Sequence, residues 1–299
     1  MKAIAEQPEA GERPGAATLA DVLTLEHVGP AAFRAPVRGR PGPPRVYGGQ
    51  LAAQALVAAA ATSPGLAIRS LHGHFLTAGN SSRPLDYVAE PRTTSGNACT
   101  VSAHQGTAEV FRLLVSFGPH DGDPCHTAPP PTPPQTPSPS SLGARQVSDP
   151  WIRALEATFP LYIRFVGLPP RAAVDRGERP DPYVATWLRP RDPLPDDPKV
   201  HAAALAYMSD LFLLSSALLP HGRWVGDPGL SVASLDHSMW FHRQPRADDW
   251  VFYERRALWA GGGRAVARGT ITDTAGNPLV TVMQEGLIRQ RPPASDVHA

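Results

Sequence analysis

The sequence predicts an α+β protein of two fused units, each a helix followed by four antiparallel strands. Three observations lead there. A proline-rich run, PCHTAPPPTPPQTPSP at residues 124–139, falls near the middle of the 299 residues. The same order of elements stands on either side of it. In each half a long apolar segment of helical length precedes four shorter runs, with turn-type residues among them. A duplication of this period constrains the architecture more than any single motif.

Residues 1–18 are rich in Gly, Pro and Glu and are expected to be disordered. The first unit spans 19–121. Residues 33–38 read as a short strand. Gly48 and Gly49 open an Ala-rich helix over 48–62, GGQLAAQALVAAAAT. Extended runs follow at 70–77, 85–93, 98–105 and 109–117, parted by Ala78-Gly79-Asn80, Ser95-Gly96-Asn97 and Gln105-Gly106. Residues 122–180 are assigned as a Pro-rich linker and connecting segment, because proline breaks helices and cannot donate to a ladder. The second unit spans 181–290. It opens with a strand at 183–189 and a long apolar helix at 200–219, stopped by Pro220-His221-Gly222. Strands at 230–242, 250–259, 265–273 and 279–288 complete it, the last two joined by Ala275-Gly276-Asn277. Residues 291–299 are an expected disordered tail. Both helices are apolar on most faces, so sheet must wrap them. That is a hot-dog pattern, and two such units side by side give a double hot-dog: one continuous sheet around two long helices.

Composition narrows the function classes. There are 28 Lys and Arg against 27 Asp and Glu, with no basic block, so nucleic acid is not an expected partner. The two cysteines, Cys99 and Cys125, make neither a disulfide framework nor a zinc site. No H-E-x-x-H or other metal spacing is present, and neither metal nor cofactor is expected. The N-terminus lacks the apolar core of a signal peptide, no stretch reads as a membrane span of about 20 apolar residues, and the terminal VHA is not a peroxisomal tripeptide. The expectation is a cytoplasmic protein without a membrane partner. Outer edge strands invite a second copy, so a homodimer or higher homo-oligomer is expected.

Asp210 is the residue that does not fit its surroundings. It sits inside AAALAYMSDLFLLSSALL, where burying a carboxylate is costly unless it is hydrogen-bonded. Such a group either points out at a helix edge, bonds a nearby amide, or does chemistry. Ser234 and Gln284 are two further polar groups on apolar strands of the same half. Nothing in their spacing alone brings the three together. There is no G-x-S-x-G elbow, and Cys99 has no identifiable His partner. His72, His74, His237 and His242 alternate on strands, as packed or surface histidines do. Gly261-Gly262-Gly263 reads as a turn or bulge, not a phosphate loop.

Several blocks together carry a resemblance. They are Arg45-Val46-Tyr47-Gly48-Gly49-Gln50 with Ala53-Gln54-Ala55-Leu56, and Ser70-Leu71-His72 with Phe75-Leu76. In the second half they are Tyr207-Met208-Ser209-Asp210-Leu211, Leu235-Asp236-His237-Ser238-Met239-Trp240-Phe241-His242-Arg243, Arg264 with Ala267-Arg268-Gly269, and Gln284-Glu285-Gly286-Leu287-Ile288-Arg289. In that order, over roughly residues 20–290, the chain resembles the acyl-CoA thioesterase II family of double hot-dog enzymes. The resemblance implies hydrolysis of acyl-CoA to a carboxylic acid and CoA by a water molecule. It places the groups that hold that water on Asp210, Ser234 and Gln284. Chemistry then suggests the amides of Gly48, Gly49 and Gln50, at an electropositive helix start, as oxyanion donors. Arg45, Arg243, Arg264 and Arg268 are the candidates for the CoA phosphates. The chain departs from the family's pattern at Val101-Ser102, where an arginine is common, and at Thr77-Ala78-Gly79-Asn80, which leaves acyl and carrier specificity open. The alternatives are a carrier-protein thioesterase of secondary metabolism, a hot-dog lyase using His237 or His72 as acid–base, and a non-catalytic acyl-thioester binder.

Overall fold

The computed structural model describes residues 17–37, 44–92, 97–119, 126, 141–142, 146 and 149–290. The expected disorder of 1–18 and 291–299 and the run at 124–139 lie outside these residues, apart from Ala17, Thr18 and His126. Thr18 caps α1 (Leu19–Leu23), accepting the Asp21 N–H while the Asp21 side chain returns a bond to the Thr18 backbone. The first unit continues with β1 (Glu26–Gly29), β2 (Ala32–Ala35), α2 (Gly48–Ala61), β3 (Ile68–Phe75), β4 (Leu85–Pro91), β5 (Ala98–Gln105) and β6 (Ala108–Phe117). After α3 (Pro150–Thr158) come β7 (Leu161–Phe165), α4 (Pro170–Asp175), β8 (Tyr183–Pro190) and α5 (Pro198–Ser209). The chain ends with β9 (Leu230–Ser234), β10 (Asp236–Phe241), β11 (Val251–Gly261), β12 (Arg264–Thr272) and β13 (Pro278–Gln290).

The strands form one sheet in the order β1-β2-β4-β5-β6-β3-β10-β13-β12-β11-β8-β7, with β9 also paired to β13. Read outward from the central β3–β10 seam, the two halves have the same order. The seam is antiparallel, with His72 opposite Ser238 and Leu71 opposite Met239. Helices α2 and α5 lie together inside the curve of the sheet. Their many alanines follow from this position. Ala52, Ala53, Ala55, Ala58 and Ala59 of α2 and Ala202, Ala203, Ala204 and Ala206 of α5 are all buried, and small side chains let two wrapped helices approach. The double hot-dog architecture expected from the sequence is the observed one.

Four local differences matter for the site. The helix expected over 200–219 ends at Ser209, and two 3₁₀ turns, Leu214–Ala217 and Leu219–His221, follow it. The break is made by Phe212, which takes a left-handed backbone conformation with φ 58°. The strand expected over 230–242 is two strands. Ser234 lies opposite Gly286 but Ser238 opposite Met283, so one extra residue sits on the β9–β10 side, a bulge. The carbonyl of Leu235 and the side chain of Asp236 satisfy the amides of Phe75 and Glu285 there. Within 122–180, α3 and α4 are helices and β7 extends the sheet beyond β8. Finally, contrary to the membrane reading, Pro198–His221 is long and apolar enough to cross a bilayer, although almost all of it is buried within the fold.

Candidate active site

The C-terminus of α5 meets the N-terminus of α2. A helix start leaves its first N–H groups without intrahelical partners, and Tyr47, the N-cap of α2, gives them no side-chain bond. Asp210, which closes α5, supplies one: its Oδ2 accepts the Gly49 N–H at 2.9 Å. A helix N-terminus attracts a carboxylate in this position. The approach needs glycine. A Cβ on Gly49 would lie 2.4 Å from Tyr207 O, and one on Gly48 would lie 2.8 Å from Asp210 Oδ2. The other carboxylate oxygen, Oδ1, accepts from Gln284 Nε2 at 2.7 Å and, at a long 3.4 Å, from Ser234 Oγ. The structure therefore brings Asp210, Ser234 and Gln284 together, from a helix end and two strands.

The end of α5 is held from outside. Tyr47 donates its hydroxyl to Tyr207 O at 2.9 Å, Tyr253 to Ser209 O at 2.5 Å, and Arg255 Nη1 to Leu211 O at 2.9 Å. Arg255 is wholly buried and also donates to Thr186 Oγ1 and to the carbonyls of Val184 and Tyr253. Burial pushes its guanidinium down to about 10. Sequence reasoning missed these supports, although inward-facing alternation of Tyr253 and Arg255 along β11 was a signal for them.

Behind Gln284 stands His237, also wholly buried, with Nδ1 3.2 Å from Gln284 Nε2 and Nε2 2.7 Å from Ser209 Oγ. Burial lowers its pKa, and the nearby carboxylates of Asp210 and Asp236 oppose that shift. His72 lies on the outer face of the sheet, bonded to Ser238 Oγ at 3.1 Å and edge-on to Trp240. The two histidines a lyase would use are thus packed away from the cavity or on the far side of the sheet.

A cavity of about 550 Å³ opens onto Asp210, Ser234, Gln284 and Gly48. Its walls are mainly apolar: Leu51 and Phe75 from the first unit, Trp151, Leu155 and Phe159 from α3 and the residue after it, and Phe212, Leu214, Val232 and Leu287 from the second. The α3 walls belong to the stretch expected only to connect the two units. The departing turn at Thr77-Ala78-Gly79 is also part of the lining.

The remaining expected residues divide. Of the three candidate oxyanion amides, Gly49 is committed to Asp210 and Gln50 donates to Tyr47 O at 3.1 Å. Among the described residues no acceptor meets the Gly48 N–H. Of the arginines, Arg45 is exposed and lines the cavity. Arg264 bonds Glu285, and Arg268 lies opposite Met283 and Arg256; all point to the outer face, because Ala265 and Ala267 between them point inward. Arg243 follows His242, whose N–H reaches Leu279 O, about 17 Å up the strand from Gln284 at strand rise. These three do not line the cavity. Among the described residues no group of three or more His, Cys, Asp or Glu converges as metal ligands would.

Comparison with known proteins places the chain. A family model described as the acyl-CoA thioesterase N-terminal domain matches residues 37–118, and one described as the acyl-CoA thioesterase C-terminal domain matches residues 125–288. The chain belongs to the acyl-CoA thioesterase family. Within this family it is 34% identical to human acyl-coenzyme A thioesterase 8, over 96% of this chain and 94% of that one. It is 30% identical to acyl-CoA thioesterase 2 of Haemophilus influenzae, over 91% and 96%. The solved acyl-CoA thioesterase II TesB2 of Mycobacterium marinum superposes with a TM-score of 0.72 at 35% identity, covering 91% of this chain and 98% of that one.

Proposed function

We propose that this chain hydrolyses acyl-CoA to a free carboxylic acid and CoA, with Asp210 as general base toward a water held by Ser234 and Gln284. One observation carries the reading: a carboxylate at the junction of two helices, bonded to the Gly49 amide and the Gln284 amide, opens onto an apolar cavity. Gln284 holds the carboxylate through its NH₂, and Asp210 and Ser234 line the cavity that the water enters. The water oxygen attacks the thioester carbon while its proton passes to Asp210. The Gly48 N–H, at the positive end of α2, faces the developing oxyanion. The carbon–sulfur bond then breaks, and the thiolate of CoA takes up the proton. The acyl tail occupies the apolar cavity, and Arg45 at its edge meets the CoA phosphates.

Free-thiol release from a panel of acyl-CoAs tests this. Wild type should release CoA, and Asp210→Asn should lower kcat by about 10²–10⁴-fold, the span of a general base. Undiminished release by Asp210→Asn removes this carboxylate from the chemistry. Loss of the enoyl chromophore without thiol release would favour a lyase. The sheet ends in the edge strands β1 and β7, which supports a homo-oligomer that sedimentation would measure.

A further inference from the structure

We infer that His237 is a positioning residue: its neutral, Nε2-protonated ring fixes the Gln284 amide with its NH₂ toward Asp210. The inference rests on the hydrolytic reading above and concerns a residue that takes no part in the proton transfer described there.

Three groups determine the proton positions: the half-buried Asp210 carboxylate and the buried Gln284 and Ser209. The Asp210 carboxylate offers only acceptors, so the Gln284 atom 2.7 Å from its Oδ1 must be the NH₂. Turned the other way, Oε1 would face a carboxylate oxygen at that distance. The same NH₂ lies 3.2 Å from His237 Nδ1, which must therefore accept and carry no proton. At the other side of the ring, Ser209 Oγ has one hydrogen and two acceptors for it, the Ala206 carbonyl at 2.9 Å and, more weakly, Met239 Sδ at 3.3 Å. Ser209 Oγ is left to accept from His237 Nε2 at 2.7 Å, so that nitrogen holds the proton. The chain of donation runs from Gln284 to His237 to Ser209 to Ala206 O, without a break. It spends both amide hydrogens of Gln284, one on Asp210 and one on His237. Removing the Nδ1 acceptor frees the amide to turn, and a misplaced water-holding group costs rate rather than affinity. His237 is in the bulged stretch after Ser234, so one local feature of β9–β10 sets both the hydroxyl and the ring.

Two measurements test this. Nitrogen-15 NMR of histidine-labelled wild-type protein at neutral pH should show one buried ring protonated at Nε2 and bare at Nδ1, with the signal lost in His237→Asn; a ring protonated at Nδ1 overturns the inference. Kinetics supply the second. His237→Leu should lower kcat on the order of 100-fold with KM little changed. His237→Asn, whose Oδ1 can stand where Nδ1 stood, should recover most of that loss, and His237→Gln, which reaches toward Ser209 instead, should not. In a Gln284→Ala background the His237 substitutions should cost nothing further, because the group they position is gone. Equal losses in both backgrounds, or Asn no better than Gln, would reduce His237 to a packing residue. A fully active Gln284→Ala would instead take Gln284 out of the proposed site while leaving the hydrolysis itself standing, and absence of thiol release by wild type would defeat the hydrolytic reading. Should His237→Leu not fold, the Asn and Gln pair and the NMR measurement decide.

Discussion

At the scale of single residues, the site is a problem of fitting one carboxylate between two helix ends. Asp210 was legible as a misfit in an apolar helix, and its partners Ser234 and Gln284 were legible through the resemblance. Which amide Asp210 takes was not, because Gly49 is 161 residues away in sequence and only the packed helices bring them together. Gly48 gives the sharpest single-residue test. It is the first residue of α2, where alanine is compatible with the helix. Its Cβ, however, would come within 2.8 Å of Asp210 Oδ2 and 3.0 Å of the Phe75 ring. Gly48→Ala should therefore displace the carboxylate while leaving the fold standing. We expect kcat to fall by about 10–100-fold, the scale of a misplaced catalytic group, with a change in Tm of no more than a few degrees. Parallel rate and melting measurements check this, and an Ala variant of wild-type rate would mean that the carboxylate position is not critical.

At the scale of elements, the decisive feature is where α5 stops. Apolar periodicity continues to residue 219 and offers no Gly or Pro before Pro220, so a local reading runs the helix through. The stop is tertiary. The carbonyls of Tyr207, Ser209 and Leu211 are taken by Tyr47, Tyr253 and Arg255, and Phe212 turns left-handed between Trp151 and Phe165 on one side and the cavity on the other. None of those partners is near in sequence. The strand arginines are the opposite case. Alternation along β12 puts Ala265 and Ala267 inside and Arg264 and Arg268 outside, a period-2 pattern that the residue order itself carries. Tyr253→Phe tests the helix stop. It removes the donor to Ser209 O from a buried site, a loss of about 1–3 kcal/mol. The melting temperature should fall by several degrees, and kcat should fall several-fold at temperatures where the variant is still fully folded, since the carbonyl released is next to Asp210. A lowered Tm with unchanged kcat would show that this end of α5 holds its shape without Tyr253.

At the scale of the whole molecule, the repeat on either side of the proline-rich run was the most legible feature, because helix and strand lengths and turn residues are local properties. The division of labour between the halves was not. The first unit lends the start of α2 to the site and the second lends the three side chains, so the cavity exists only across the join. The same enclosed construction makes stability depend on pH. Burial is the leading cause lowering the pKa of His72, His201, His237 and His242 below the ordinary 6.5. Above that value these rings are neutral whether the chain is folded or not, and they leave stability unchanged. As pH falls through 6.5 the unfolded chain binds protons that the folded chain refuses, and stability declines until the lowered folded pKa values are reached. The carboxylates whose pKa is lowered, Glu109 and Asp248, act only further down, below their ordinary 4.5 and 3.8. Glu254, raised by burial, works in the opposite direction as pH falls toward its ordinary 4.5. Melting temperatures recorded between pH 8 and 5 should therefore be flat at first and then drop below about pH 6.5. Because His237 is, with His201, one of the two buried members of the four, His237→Asn should flatten part of that drop. A curve of wild type that stays level to pH 5 would mean that these rings are protonated in the fold as readily as outside it.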